Sequence, residues 1–161
     1  MTETKRQPLI RAAVAADIPA MLELERQSTT AAHWTERQYR DALGPSVDDP
    51  RRLVLVAESG HDPAKAILAI LVAHHISPEW ELENIVVAQL ARRQGLATKL
   101  LNRLITRARD TNSESIFLEV RESNLAARTL YERAGFQQTG RRRAYYANPV
   151  EDAVLYRLRL K

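Results

Sequence analysis

The stretch Arg92-Arg93-Gln94-Gly95-Leu96-Ala97 follows a run of β-branched residues, Ile85-Val86-Val87, and leads at once into a leucine-rich helical pattern. Strand, tight turn and helix N-terminus in that order can hold a phosphate. About four backbone N–H groups lack intrahelical partners at the start of a helix, and the helix dipole is positive there. The small residues Gly95 and Ala97 would let an anion approach that backbone, with Arg92 and Arg93 adding charge beside it. The common phosphate loops do not fit, since there is no G-x-G-x-x-G and no Gly-Lys pair ahead of Ser or Thr. Taken alone, R-x-x-G-x-A is equally compatible with an ordinary turn bearing exposed arginines.

Other chemistry is narrowed by residue type. The 161 residues include no cysteine, which removes a disulfide framework, a thiolate metal site and a cysteine nucleophile. His33, His61, His74 and His75 show no ligand spacing, and the last two would point to opposite faces of a strand, so no metal is expected. Glu81 and Glu83 flank Leu82 on one face of a β-rich run. In "SIFLEV", Ile116, Leu118 and Val120 share one face, which leaves Phe117, Glu119 and Arg121 on the other. Glu119 is then an acidic residue near the end of a central strand, or more plainly a surface carboxylate paired with Arg121 or Arg128. Tyr131 sits in a helical pattern near Ala127 and Ala134, where its ring could be simple core. Trp34, Tyr39, Tyr145 and Tyr146 are candidates for a substrate surface and equally for packing, and Arg141 to Arg143 reads more as a solvated turn than a binding patch.

The elements that must position these residues follow from periodicity. "PLIRAAV" reads as a first strand, followed by a helix with Asp17 as N-cap, Pro19 in its first turn, and an apolar face of Ile18, Met21 and Leu22 with Leu24 at its edge. "TERQ" (Thr35 to Gln38) has capping-box spacing and opens a second short helix ending near Gly44-Pro45. "RLVLVAES" and "KAILAILVAHHI" are β-rich runs separated by "GHDPA", the pattern of a hairpin, and "WELENIVV" is a fourth strand. From Ala97, the positions Leu100, Leu101, Leu104, Ile105 and Ala108 make a helical stripe. "SIFLEV" is a strand, and "SNLAARTLYERAGF" is a helix started by Ser123 or Asn124 and closed by Gly135-Phe136. Two closing strands end the chain. The order β α α β β β α β α β β predicts one mixed α/β domain over 1–161.

With 45% hydrophobic residues the chain can build a real core, and the longest apolar run, "AILAILVA", is too short to span a bilayer. The N-terminus lacks the apolar segment of a signal peptide, so a cytoplasmic protein without membrane contact is expected. The net charge of +4 fits an anionic partner or a solvated surface. A basic RNA-binding module would need exposed aromatics interleaved with arginines; with two Phe and two Trp and no such signature, no direct nucleic-acid contact is expected.

The arrangement around Arg92 to Ala97 resembles the acetyl-coenzyme A signature of the GNAT superfamily of N-acetyltransferases, Q/R-x-x-G-x-G/A, with Ala97 as an allowed variant of the last glycine. Downstream, "LEVRESNLAARTLYERAGF" is similar to the matching segment of the bacterial ribosomal-protein-alanine N-acetyltransferases, the RimI type. "HWTE", "NIVV", "RRAYY" and "EDA" sit where that family has similar stretches, so the resemblance covers nearly the whole chain. It implies a mixed, mostly antiparallel central sheet of about seven strands flanked by about four helices. It also implies acetyl-CoA as co-substrate, without a metal. The coenzyme would be held by Ile85, Val86 and Val87 through their backbone, by Arg92, Arg93, Gln94, Gly95, Leu96, Ala97 and Thr98 in the turn, and by Asn124. By the same resemblance Glu119 is the general base and Tyr131 the general acid, with Val87 N–H as oxyanion donor. Glu81 and Glu83 compete for the base role, because other GNAT branches draw their base from that strand. The implied acceptor is the α-amine of an N-terminal alanine on a small-subunit ribosomal protein, reached by direct transfer in a ternary complex. Other protein N-termini, a lysine side chain and a small amine stay open as alternatives.

Overall fold

The computed structural model describes residues 7–29, 31–44, 49–60 and 66–161. His61 and most of the "GHDPA" turn, together with Pro45, lie outside the described residues. In chain order the elements are β1 (Leu9–Ala12), α1 (Ile18–Arg26), α2 (Glu36–Leu43), β2 (Arg52–Glu58), β3 (Ile67–Ile76), β4 (Glu79–Val87), α3 (Leu96–Asp110), β5 (Ser115–Arg121), α4 (Leu125–Arg133), β6 (Gln137–Tyr146) and β7 (Glu151–Arg159). This is the order that the periodicities predict. All seven strands join one sheet in the order β1-β2-β3-β4-β5-β7-β6. Every neighbouring pair is antiparallel except β4 and β5, which α3 connects in parallel.

Each face of the sheet carries its own core. Leu53, Leu55, Leu71, Trp80, Leu82, Ile116 and Leu118 pack under the Leu100, Leu101, Leu104 stripe of α3 and against Tyr131 of α4. Val54, Val56, Ile70, Val72 and Val86 pack against Met21, Leu24 and Ile18 of α1 and Tyr39 and Leu43 of α2. Along α1 it is Leu24, with Glu25, that is buried, while Leu22 is half-buried, so the apolar face is turned slightly from the one read in the sequence. Tyr39 belongs to this core and not to an outer substrate surface.

Local signals explain the helix ends. Thr35 and Gln38 close a reciprocal capping box, at 3.2 and 2.8 Å. Asp17 precedes α1 but does not cap it with its side chain. Its carboxylate accepts from Arg11 at 2.7 and 2.8 Å and from the Val14 N–H at 2.8 Å, so a salt bridge took the oxygens that a cap would have used. The Asn124 side chain accepts from the Ala127 N–H at 3.2 Å at the start of α4. Gly135, at φ +98°, ends that helix and lets the Phe136 N–H reach the Tyr131 carbonyl.

Candidate active site

One irregularity in β4 sets up the site. Val72 pairs with Asn84 but Ala73 pairs with Leu82, so Glu83 is an extra residue, a β-bulge. A bulge bends its strand and shifts which side chains face which way. Ahead of it Leu82 points to the α3 side; beyond it Asn84 and Val86 point to the α1–α2 side, and Ile85 and Val87 pack on the α3 side. At the same place β4 parts from β5, since their parallel pairing runs only from Glu79↔Ser115 to Leu82↔Leu118. Beyond the parting, Asn84 to Val87 pair with β3 alone.

The freed edge of β4 is a backbone-binding strip. The Ala88 N–H bonds the Leu68 carbonyl at 2.8 Å. Antiparallel alternation therefore turns the Val86 amide toward β3 and the Ile85 and Val87 amides toward the gap. At the far end of the strip comes the turn into α3. Arg93 (φ +63°) and Gly95 (φ +75°) are both left-handed there. The first N–H of α3 to bond back is that of Lys99, on the Gly95 carbonyl at 3.0 Å, which leaves the amides of Leu96, Ala97 and Thr98 ahead of it. Arg92, Arg93, Gln94, Gly95 and Thr98 are exposed, Ala97 is half-buried, and Leu96 anchors the turn in the core. Three unspent amides at the positive end of a 15-residue helix suit a pyrophosphate, and the β4 strip suits an extended amide-bearing arm.

Where β4 and β5 separate, a cleft of about 250 Å³ opens, lined among others by Glu83, Asn84, Ile85, Glu119, Asn124 and Tyr131. Glu119 and Tyr131, nominated from different elements, thus meet in one cavity, together with Ile85 and Asn124; Val86, Val87 and the Arg92–Thr98 turn are not in its lining. The Tyr131 ring is buried against Phe136 and Tyr156, at 5.8 and 6.2 Å between centroids. Burial pushes its hydroxyl well above the ordinary tyrosine range, so it keeps its proton at neutral pH. Its helix is clamped to β7: Arg128 donates to the Tyr156 hydroxyl at 3.0 Å, and that hydroxyl donates to Glu132 at 2.7 Å.

Glu119 is not paired with Arg121 or Arg128; its partner is Arg142, at 3.2 Å. Arg121 is spent on Glu151 and on the face of Tyr146, and Arg128 on Tyr156 and the Glu122 carbonyl. Of the arginine run, Arg141 pairs with Glu122 and Asp152, so two of its three members hold carboxylates rather than face water alone. Tyr145 stands against Glu119, and that hydrogen bond raises the hydroxyl's pKa. Tyr146 is pushed up to about 12, first by burial and then by the Glu119 charge. Glu81 is raised by burial and by its neighbours Glu83 and Glu119; Glu83 is raised by burial against the pull of Arg52, which binds it at 2.8 Å. Three carboxylates therefore gather on the α1–α2 side. Two polar residues of the site escaped the sequence reading, Glu25 and Asn84. Each breaks an apolar pattern, Glu25 in the Ile18–Met21 stripe and Asn84 between Leu82 and Val86, and that break was the available signal.

Among the described residues no group of three His, Asp or Glu side chains forms a metal site, and no helix is long and apolar enough to cross a membrane. Residues 18–136 match the model of the acetyltransferase (GNAT) family. The [ribosomal protein bS18]-alanine N-acetyltransferase of Salmonella typhimurium is 33% identical over 144 residues, covering 88% of this chain and 90% of that protein. The crystal structure of the ribosomal-protein-S18-alanine N-acetyltransferase from Escherichia coli superposes with a TM-score of 0.79 at 30% identity, over 96% of this chain and 94% of that one. A chain of the NatC complex bound to Gag peptide and CoA shares the fold, with a TM-score of 0.81 at 20% identity over 97% of this chain and all of that one. A family match across the parted strands, the turn and the Tyr131 helix, with a relative aligned over most of both chains, gives the conclusion that this chain belongs to the GNAT acetyltransferase family and is an N-acetyltransferase.

Proposed function

We propose that this enzyme moves the acetyl group of acetyl-CoA to the α-amine of an N-terminal alanine, on a small-subunit ribosomal protein, by direct transfer in a ternary complex. The observation that carries the reading is the meeting of Glu119 and Tyr131 in the cleft where β4 leaves β5. The printed activity of the 33% identical relative supports the choice of acceptor.

In this reading the amides of the 95–98 turn hold the pyrophosphate, with Arg92 and Arg93 near it and Gln94 shaping the turn. Ile85 and Val87 carry the pantetheine arm on the β4 edge, whereas Val86, expected to share that role, turns its backbone to β3, and Asn124 meets the coenzyme from the start of α4. Acetyl-CoA supplies the activated acyl group. Glu119 takes a proton from the attacking amine, directly or through water, and the Val87 N–H faces the oxygen that becomes negative. Tyr131, kept protonated by burial, supplies a proton to the departing sulfur. An α-amine has a reference pKa near 8, against about 10.4 for lysine, so a carboxylate base suffices at neutral pH. Arg142, at 3.2 Å, holds the Glu119 carboxylate in place at the cleft.

A second reading has one observation behind it. Glu81, Glu83 and Glu119 share the acceptor side, which also suits a small polycation. Release of free coenzyme A thiol is therefore measured with three acceptors: a peptide with a free N-terminal alanine and no lysine, a peptide with a blocked N-terminus and an internal lysine, and spermidine. Turnover confined to the first is the expected outcome. Turnover confined to either of the others overturns the α-amine reading.

A further inference from the structure

Under the cleft, on the α1–α2 side of the sheet, three polar side chains from three elements are buried together. Glu25 of α1 is 2% exposed, Tyr39 of α2 is 0% exposed and Asn84 of β4 is 6% exposed. Asn84 Nδ2 donates to Glu25 Oε1 at 2.5 Å and to the Tyr39 hydroxyl at 3.3 Å. A primary amide owns two N–H donors and one carbonyl oxygen. Both donors are engaged inside the cluster, and an ionised carboxylate only accepts. Turning the amide over would set oxygen against oxygen, so the cluster fixes which atom of Asn84 is left for a ligand.

Asn84 lines the cleft beside Glu119, with Ala31, Ala32 and His33 of the α1–α2 connection across from it. We infer that Asn84 Oδ1 is a hydrogen-bond acceptor for the reacting amine of the acceptor, and that Glu25 is the positioning residue that aims it. The inference rests on the reading of the cleft as an amine site. An amine brings N–H hydrogens and a lone pair. An amide oxygen holds an N–H without removing a proton, which leaves proton transfer to Glu119 and turns the lone pair toward the thioester. The side of the sheet also fits: Asn84 and Val86 face α1 and α2, whereas Ile85 and Val87 face the α3 side.

The cost of the cluster argues for a use beyond packing. Glu25 Oε2 is the one buried side-chain oxygen or nitrogen among the described residues with no partner in normal hydrogen-bond geometry, the Tyr39 hydroxyl and the Trp34 backbone N–H near the carboxylate only partly offsetting its burial. Such an atom carries a desolvation cost that an apolar residue would not incur.

The test measures peptide KM, kcat and acetyl-CoA affinity for Glu25→Gln, Asn84→Ala and the double variant Glu25→Gln with Asn84→Asp. Each single variant is expected to raise the KM of the N-terminal-alanine peptide about tenfold, the scale of one lost hydrogen bond. The fall in kcat should be smaller, with calorimetric acetyl-CoA affinity and circular dichroism as in the wild type. The double variant reverses the donor and returns an oxygen to the cleft, so KM should recover at least halfway on a logarithmic scale. Glu25→Gln is isosteric and carries the test if Asn84→Ala fails to fold. A peptide KM within twofold of wild type in a folded single variant overturns the inference, as does a double variant no better than the singles. Failure of the α-amine reading is distinguishable, because the wild type would then turn over spermidine or the lysine peptide, and the same variants compared on that amine's KM still decide the role of Asn84.

Discussion

Glu119 and Tyr131 reach the cleft by different physical routes, and their variants should fail differently. Glu119 is half-buried and held by Arg142, so Glu119→Gln removes a proton acceptor while keeping shape and most contacts. Its kcat is expected to fall by about 10²-fold or more, the usual worth of a positioned base, with acetyl-CoA affinity unchanged by calorimetry. Tyr131→Phe keeps the ring on Phe136 and Tyr156 and loses only the hydroxyl; a similar fall in kcat with an unaltered melting temperature is expected. If both variants keep wild-type rates and Glu81→Gln or Glu83→Gln is inactive, the base lies on β4 instead. The resemblance singled out these two positions, and local periodicity is compatible with it, setting Glu119 opposite Leu118 and Val120 and Tyr131 near Ala127 and Ala134, without itself choosing them over a surface carboxylate and a core ring. Their partners were not legible in the chain. Glu25 meets Asn84 across 59 residues of sequence, and Arg142 approaches Glu119 from another strand, contacts that no local spacing encodes.

At the scale of elements, the helices and strands follow their sequence signals closely, whereas the parting of β4 from β5 does not announce itself. The Leu100, Leu101, Leu104, Ile105, Ala108 stripe is buried as its spacing predicts. The bulge at Glu83 depends on register against β3, a property of two strands together, and "WELENIVV" read alone looks like regular alternation. The turn into α3 lies between these cases: its residues are visible, its use is not. Gly95 sits at φ +75° with nothing within 4 Å of where a Cβ would stand. Gly95→Ala should therefore cost about 1–2 kcal/mol through backbone strain alone, read as a lowered midpoint in urea. Gly95→Glu adds a carboxylate at the end of the helix where the free amides gather, and coenzyme A affinity should fall more than tenfold beyond the alanine variant. Equal calorimetric affinity in wild type and Gly95→Glu would remove the turn from the coenzyme site.

Across the whole molecule, two cores lie on opposite faces of one sheet, and the gap between β4 and β5 connects them. The turn with its free amides lies on the α3–α4 side and the acidic features on the α1–α2 side, so in the proposed reading a group handed from one to the other passes through the sheet. Keeping carboxylates at that crossing opposes folding. Glu25, Glu81 and Glu83 all have pKa values raised first by burial. A carboxyl whose folded pKa lies above its unfolded value gives its full stabilisation below the unfolded pKa, near 4.3 for glutamate, and loses it as pH rises through the folded value. Asp17 has the opposite sign: Arg11 lowers its pKa, so its contribution is present above the unfolded value and lost only on strong acidification. Glu25 isolates the first effect, because it is almost wholly buried and has one oxygen with no partner in normal hydrogen-bond geometry. Gln at this position is neutral at every pH. The difference in melting temperature, Glu25→Gln minus wild type, should therefore be smallest near pH 4.5 and grow in favour of the variant as pH rises to 8, read by calorimetry in buffers of constant ionic strength. A difference that stays flat would mean that the folded and unfolded pKa values of Glu25 coincide, and one that climbs without levelling off up to pH 8 would mean that Glu25 keeps its proton in the folded protein throughout that range. It could not then hold the Asn84 amide in one orientation as a carboxylate. A difference that rises and levels off, joined to weaker peptide binding in the same variant, would place both effects on one charge, costly to the fold and needed by the site.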